Sequence, residues 1–174
     1  MADSREAESL KKDMNYVDRA IINTVSRFSP HPLGTAFKQL VEVGGKRIRP
    51  VLVVLSFRSL DQTTKIGYAA PIAVAVELIH TATLIHDDII DRSSKRRGLE
   101  TVFKKWGEEV AILAGDLLFS KAFGLVGVHE IKELTDVISE TCIHLTEGEM
   151  LEFRHTRNTE MTEEVYLEII ERKT

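Results

Sequence analysis

The stretch PIAVAVELIHTATLIHDDIIDRSSKRRG, residues 71–98, decides the fold. Pro71 sits where a helix can begin, because the first helical position needs no backbone N–H. From there Val74, Glu77, Leu78, Leu84 and Asp91 carry one long helix, and the basic stretch Arg92 to Gly98 closes it as a loop. Prolines occur only at 30, 32, 50 and 71, so the last 103 residues are open to long helices. Upstream, Leu10, Met14, Val17, Ile21, Val25 and Phe28 recur at spacings of 4, 3, 4, 4 and 3, the apolar stripe of a first helix that stops before Pro30. A short helix carrying Phe37, Leu40 and Val41 follows and ends at Gly44-Gly45. The next runs from Pro50 to about Leu60 and is so evenly apolar that burial on most sides is expected. Downstream, helices are predicted over Glu108 to about Phe123, about His129 to Phe153, and Thr162 to Thr174, with Arg154 to Thr159 as a polar connector. Period-2 strand patterns are absent. The reading is all-α, a single helical domain over 1–174.

The composition narrows the class of function. The chain has 174 residues with 23 Lys+Arg against 27 Asp+Glu, a net charge of -4, and 43% apolar residues, enough for a sizeable core. The acidic balance argues against nucleic acid as a partner, because phosphate-backbone affinity needs a broad positive surface. The longest charge-free run, Ile66 to Val76, is far short of the roughly 20 residues of a membrane-spanning helix, so no span is expected. The acidic N-terminus lacks the basic and apolar regions of a secretory signal, which predicts a cytoplasmic location. The single cysteine, Cys142, excludes an internal disulfide and reads as a buried thiol.

Three features carry chemistry. At 100° per residue, His80, Asp87 and Asp91 fall within about 40° of one another on the long helix, with Asp88 one step around. Acids at this spacing repel one another and oppose the helix macrodipole, so their placement costs stability and marks a functional site. Clustered carboxylates without Cys or His ligands suit Mg²⁺, which takes one or two carboxylates and completes its shell with water and phosphate oxygens. Arg92, Lys95, Arg96 and Arg97 then place four cations in six residues beside those acids, a complement to a diphosphate. Last, Gly44-Gly45-Lys46-Arg47-Ile48-Arg49-Pro50 combines close backbone approach with three cations at a helix start, a second anion site.

Four ordered strings resemble the trans-prenyltransferases, the all-helical polyprenyl diphosphate synthases: GGKRIRP at 44–50, ELIHTATLIHDDIID at 77–91, RRG at 96–98 and LAGDLLF at 113–119. The resemblance implies an isoprenoid-synthase-type helical bundle, here its N-terminal half. It implies a Mg²⁺-dependent transferase condensing isopentenyl diphosphate with an allylic diphosphate, through an allylic cation formed as the diphosphate departs. Asp87, Asp88 and Asp91 match the first aspartate-rich motif, whose outer pair binds Mg²⁺. Arg96 matches the arginine on the allylic diphosphate, and Lys46, Arg49, His80 and Arg97 match the residues on isopentenyl diphosphate. Lys173 and Thr174 resemble a lysine-threonine pair near the allylic site, with the lysine stabilising leaving-group charge. Asp87, Asp91, Arg96 and Lys173 are thus the implied catalytic set. Gly115 and Asp116 read as helix packing and a structural polar group, and His86 as a packed residue rather than a metal ligand.

The family's second aspartate-rich motif has no counterpart before Thr174. The expectation is a fragment of a longer synthase, or a naturally short, non-catalytic partner subunit of a heteromeric one. Dimerisation, with itself or with a partner chain, is implied by the resemblance. Product length in the family is set just upstream of the first motif, where Ala82 and Thr83 stand here and neither is aromatic. That predicts geranylgeranyl or longer products.

Overall fold

A computed structural model describes residues 2–28, 34, 37, 45–61 and 63–173. The chain divides into two compact units, 1–129 and 130–174. Among the described residues the first unit holds helices α1 (Ala2–Ser26), α2 (Ile48–Leu60), α3 (Ala70–Ile90), α4 (Val102–Trp106) and α5 (Glu108–Gly127), with a 3-10 turn at Ile66–Tyr68. The second unit holds α6 (Lys132–His155) and α7 (Glu163–Lys173). The expected short helix over Phe37 to Val41, with its Gly44 end, lies largely outside the described residues; Phe37 itself is fully buried with its ring 5.0 Å from that of Phe28.

α3 is the centre of the first unit and packs against α5, α2 and α1. Its buried residues, including Ala73, Val74, Leu78, Ala82 and Ile85, lie on more than one side, as they must in a helix with neighbours on several sides. α5 presents Ala111, Ala114, Leu118, Ala122 and Val126 at spacings of 3 and 4, and the alanines facing α3 let the two backbones come close. On α1, Val17, Ile21 and Val25 are buried on the predicted stripe, while Phe28 lies beyond the helix end. Each such aliphatic burial contributes about 1.5–3 kcal/mol. Arg58 of α2 clamps α1: its guanidinium donates to both carboxylate oxygens of buried Asp13, at 2.7 and 3.1 Å, and to the Thr64 carbonyl at 2.8 Å.

Three sequence expectations are corrected. α2 begins at Ile48, not Pro50, so Pro50 is the third helical residue, still inside the first turn where its missing N–H is harmless. Nor is α2 buried on most sides: Pro50 and Val54 are inside, while Ile48, Leu52 and Leu55 are exposed, because an evenly apolar run carries no information about which face is covered. A two-stranded hairpin is present, Lys95–Arg96 against Leu99–Glu100, too short to show a period-2 pattern. Its turn residues Arg97 and Gly98 both have positive φ, 51° and 83°, as a two-residue hairpin turn requires. Thr101, fully buried, then caps the unpredicted α4 by accepting from the Lys104 N–H.

Among the described residues α5 is the one helix long and apolar enough to cross a membrane by length and composition. Asp116 and Lys121 interrupt it, so a search for charge-free runs passes over it. In the second unit Cys142 is half-buried, and burial raises its thiol above the ordinary value.

Candidate active site

The cationic site begins with a backbone decision at Arg47. This residue takes the left-handed conformation, φ 49° and ψ 33°, and its carbonyl accepts the first bond of α2, from the Val51 N–H at 2.9 Å. The turn throws Lys46 and Arg49 to the mouth of a pocket of about 620 Å³ that is also lined by His80 and Arg97. The four residues matched to isopentenyl diphosphate therefore share one pocket, although they come from a loop, a helix start, the middle of α3 and a hairpin turn. Gly45 makes the approach possible: a methyl group there would sit 2.9 Å from one Arg97 guanidinium nitrogen and 3.2 Å from the other. Burial, and then the charges of Arg49, Arg97, Arg96 and Arg47, lower the His80 pKa to about 4. The imidazole is thus neutral at pH 7, a hydrogen-bond donor that adds no charge to the cationic surroundings.

The acidic end of α3 is built differently. Asp91 caps the helix, Arg92 follows in the left-handed region (φ 50°), and the N–H groups of Arg92 and Ser93 reach back to the carbonyls of Ile89 and Asp88 at 3.1 and 2.9 Å. This is a Schellman closure with arginine where glycine is usual. The three carboxylates do not converge. Asp88 is only 2% exposed, and the Arg96 Nε donates to its Oδ1 at 2.8 Å. Burial raises the Asp88 pKa, the Asp91 charge adds to the rise, and Arg96 opposes it. Among the described residues no three His, Cys, Asp or Glu side chains are placed to hold a metal ion together. The donor chemistry still fits Mg²⁺: Asp87 and Asp91 offer hard carboxylate oxygens one helical turn apart, and this ion uses one or two carboxylates with water and phosphate oxygens. Leu84 and Ile85 line a second, smaller pocket with Asp88 and Arg96, so apolar walls adjoin the charged groups.

His86 packs as the sequence led one to expect. Its Nε2 lies 3.2 Å from the Ile112 carbonyl and 3.7 Å from Asp116, and its ring stacks on Phe119. Gly115 leaves room for that ring, since a Cβ would lie 2.1 Å from the His86 Nε2. Ala82 is fully buried, and the half-buried Thr83 spends its hydroxyl on the His80 carbonyl at 2.9 Å. Lys173 belongs to the second unit, where Gly148 accommodates the close approach of α7 and Lys173 bonds to Glu149 at 2.7 Å and to Glu152. Burial lowers the Lys173 pKa, but the two carboxylates outweigh it and hold the ammonium above the ordinary lysine value. Thr174 lies outside the described residues.

Sequence reasoning missed Glu77, Arg47 and Asp18. Arg47 Nη1 donates to Glu77 at 2.5 Å and its Nε to Asp18 at 3.3 Å, joining the Gly45–Arg47 loop to α3 and α1. The available signal was Glu77 itself, a lone acid three residues before His80 in an apolar helix segment.

The family model described as polyprenyl synthetase matches residues 30–174. The chain is 41% identical over 172 residues to a geranylgeranyl diphosphate synthase of Methanosarcina mazei, covering 96% of this chain and 52% of that protein. The geranylgeranyl pyrophosphate synthetase structure from the archaeon Geoglobus acetivorans matches with a TM-score of 0.87 at 31% identity, over 95% of this chain and 55% of that one. A polyprenyl synthase of Caulobacter crescentus, solved with calcium and isoprenyl diphosphate, matches with a TM-score of 0.88 at 33% identity, over 98% and 51%. The chain thus spans about half the length of these relatives, and over that half the helices, the cationic pocket and the acidic helix end agree with one conclusion: it belongs to the polyprenyl synthetase family.

Proposed function

We propose that this chain carries the diphosphate-binding face of a prenyltransferase that joins isopentenyl diphosphate to an allylic diphosphate, giving geranylgeranyl diphosphate or a longer polyprenyl diphosphate. The observation that carries the reading is the single pocket lined by Lys46, Arg49, His80 and Arg97. Lys46, Arg49 and Arg97 supply the charge for one diphosphate, and neutral His80 donates a hydrogen bond to it. Asp87 and Asp91 would hold Mg²⁺, which when bound withdraws charge from a second diphosphate and makes it a better leaving group. Arg96 serves that same diphosphate from the hairpin, and Leu84 and Ile85 keep water from the allylic cation. With alanine and threonine at 82 and 83, no aromatic floor stands there to stop chain growth at farnesyl.

The test is isothermal titration of the protein with an isopentenyl diphosphate analogue and Mg²⁺, paired with a condensation assay on allylic diphosphates and chromatography of the products. Binding of the analogue is expected, and its absence overturns the reading. Farnesyl diphosphate as the sole end product overturns the chain-length part.

A further inference from the structure

We propose that Glu77 is a positioning residue for the isopentenyl diphosphate site: through Arg47 its carboxylate holds the Gly45–Arg47 loop in the turn that presents Lys46 and Arg49 to the pocket. This rests on the function proposed above and adds a residue pair to it.

A carboxylate at the wall of an anion-binding pocket works against the ligand unless another group neutralises it. Glu77 is such a carboxylate. It lines the pocket beside His80, yet it is only 6% exposed, so water cannot screen its charge. Its partner is Arg47, whose side chain is 13% exposed and whose Nη1 donates to Glu77 at 2.5 Å while Nε reaches Asp18 at 3.3 Å. The pair is close to neutral as a unit, so Glu77 does not offset Lys46, Arg49 and Arg97, the other charged side chains that line the pocket.

Arg47 is also the residue whose backbone makes the loop. Its φ of 49° lies in the left-handed region, which a side chain with a Cβ enters at a free-energy cost and keeps only where the surroundings over-determine it. As the residue before α2 its carbonyl accepts from the Val51 N–H, but its side chain forms no capping bond there. The over-determination comes from across the fold, from Glu77 on α3 and Asp18 on α1. Because Lys46 and Arg49 flank this turn, releasing Arg47 lets both move off the pocket while α3 and the Asp87 end stay in place.

The experiment compares Glu77→Gln, Arg47→Asn and the double variant in steady-state condensation of isopentenyl diphosphate with farnesyl diphosphate. Asparagine tolerates the left-handed conformation, so Arg47→Asn removes the guanidinium without forbidding the turn. Each single variant is expected to raise KM for isopentenyl diphosphate about tenfold, with KM for the allylic substrate and kcat at saturation within about threefold, and the double variant to be no worse than either single one. Equal shifts in both KM values would mean a general structural pair, and an unchanged or lower isopentenyl KM would mean a mere field effect; each overturns the proposal. Where Glu77→Gln does not fold, judged by thermal unfolding, Asp18→Asn replaces it. It should give a rise of about twofold to threefold confined to isopentenyl diphosphate, and no confined rise overturns the proposal. Titration with inorganic pyrophosphate in EDTA separates this idea from the proposed function. Weaker binding by Glu77→Gln in a protein that does not condense sinks only the prenyltransferase reading, and equal binding by both forms sinks the positioning role.

Discussion

The middle and the C-terminal end of α3 solve the same problem with opposite signs. Near the middle, Glu77 is buried and paired with Arg47 of the loop before α2; near the C-terminus, Asp88 is buried and paired with Arg96 of the following hairpin. In each case one carboxylate of the helix is used up fixing an arginine, and that arginine fixes a loop whose turn contains a left-handed arginine, Arg47 in one and Arg97 in the other. What remains differs. Around His80 the other neighbouring charged side chains are positive, Lys46, Arg49 and Arg97, whereas the helix end carries two further acids, Asp87 and Asp91. The comparison separates groups that build the site from groups proposed to meet the ligand, although all are charged.

Replacing Asp87 or Asp91, the acids proposed to hold Mg²⁺, should have the largest effect on turnover and the smallest on folding. In the condensation assay with Mg²⁺, Asp87→Ala or Asp91→Ala is expected to abolish product, a loss of about a thousandfold or more. Thermal unfolding should be unchanged or improved, since removing an acid from an i,i+4 pair relieves roughly 0.2–0.5 kcal/mol of repulsion. Unchanged turnover would place both acids among the merely solvated.

The buried member of each pair should behave the other way round. Arg96→Ala leaves the Asp88 carboxylate buried without its 2.8 Å partner, and a loss of about 1–3 kcal/mol is expected, below the figure for a fully buried pair because Arg96 is 30% exposed. Adding Asp88→Asn to Arg96→Ala should recover part of that loss, because the uncompensated charge is gone. Denaturant midpoints of the three variants give the coupling. Additive losses would mean that the hairpin is held by its own turn and by Thr101, and that the pair builds nothing.

The difference between meeting a ligand and building a site also decides what the sequence could reveal. The core helix over 71–91, the stripe on α1 and the two cationic clusters were legible because they are local: periodicity, proline placement and charge runs are properties of neighbouring residues. The shared pocket of Lys46, Arg49, His80 and Arg97 was legible through resemblance. The Arg47–Glu77 and Arg58–Asp13 pairs were not, since their partners lie 30 and 45 residues apart and either acid could have faced water. Asp88 shows the same limit. Its neighbours in the string suggested three converging ligands, and only the fold of the hairpin shows one of them turned to Arg96. α2 was misread for a further reason: Leu52 and Leu55 have the chemistry of core residues, and only the placement of neighbouring helices decides whether anything covers them.

The smallest expected effect lies at His80 and tests the positive end without removing a charge. An unfolded chain binds a proton at His80 near the ordinary value of 6.5, while in the fold burial and four arginines lower the pKa to about 4. Between those values the unfolded state takes up more protons than the native one, so this group's contribution to stability is present above about pH 6.5 and declines as pH falls toward 4. His80→Asn should flatten that part of the pH dependence of the unfolding midpoint, by a modest amount because the ring is half-exposed. A bound diphosphate brings negative charge against the same ring and should move its titration, followed by NMR, upward from about 4. A free-protein titration near 6.5 would mean that the arginine charges are spent elsewhere, and the contrast between the middle and the C-terminal end of α3 would reduce to one acidic cluster on an otherwise neutral helix.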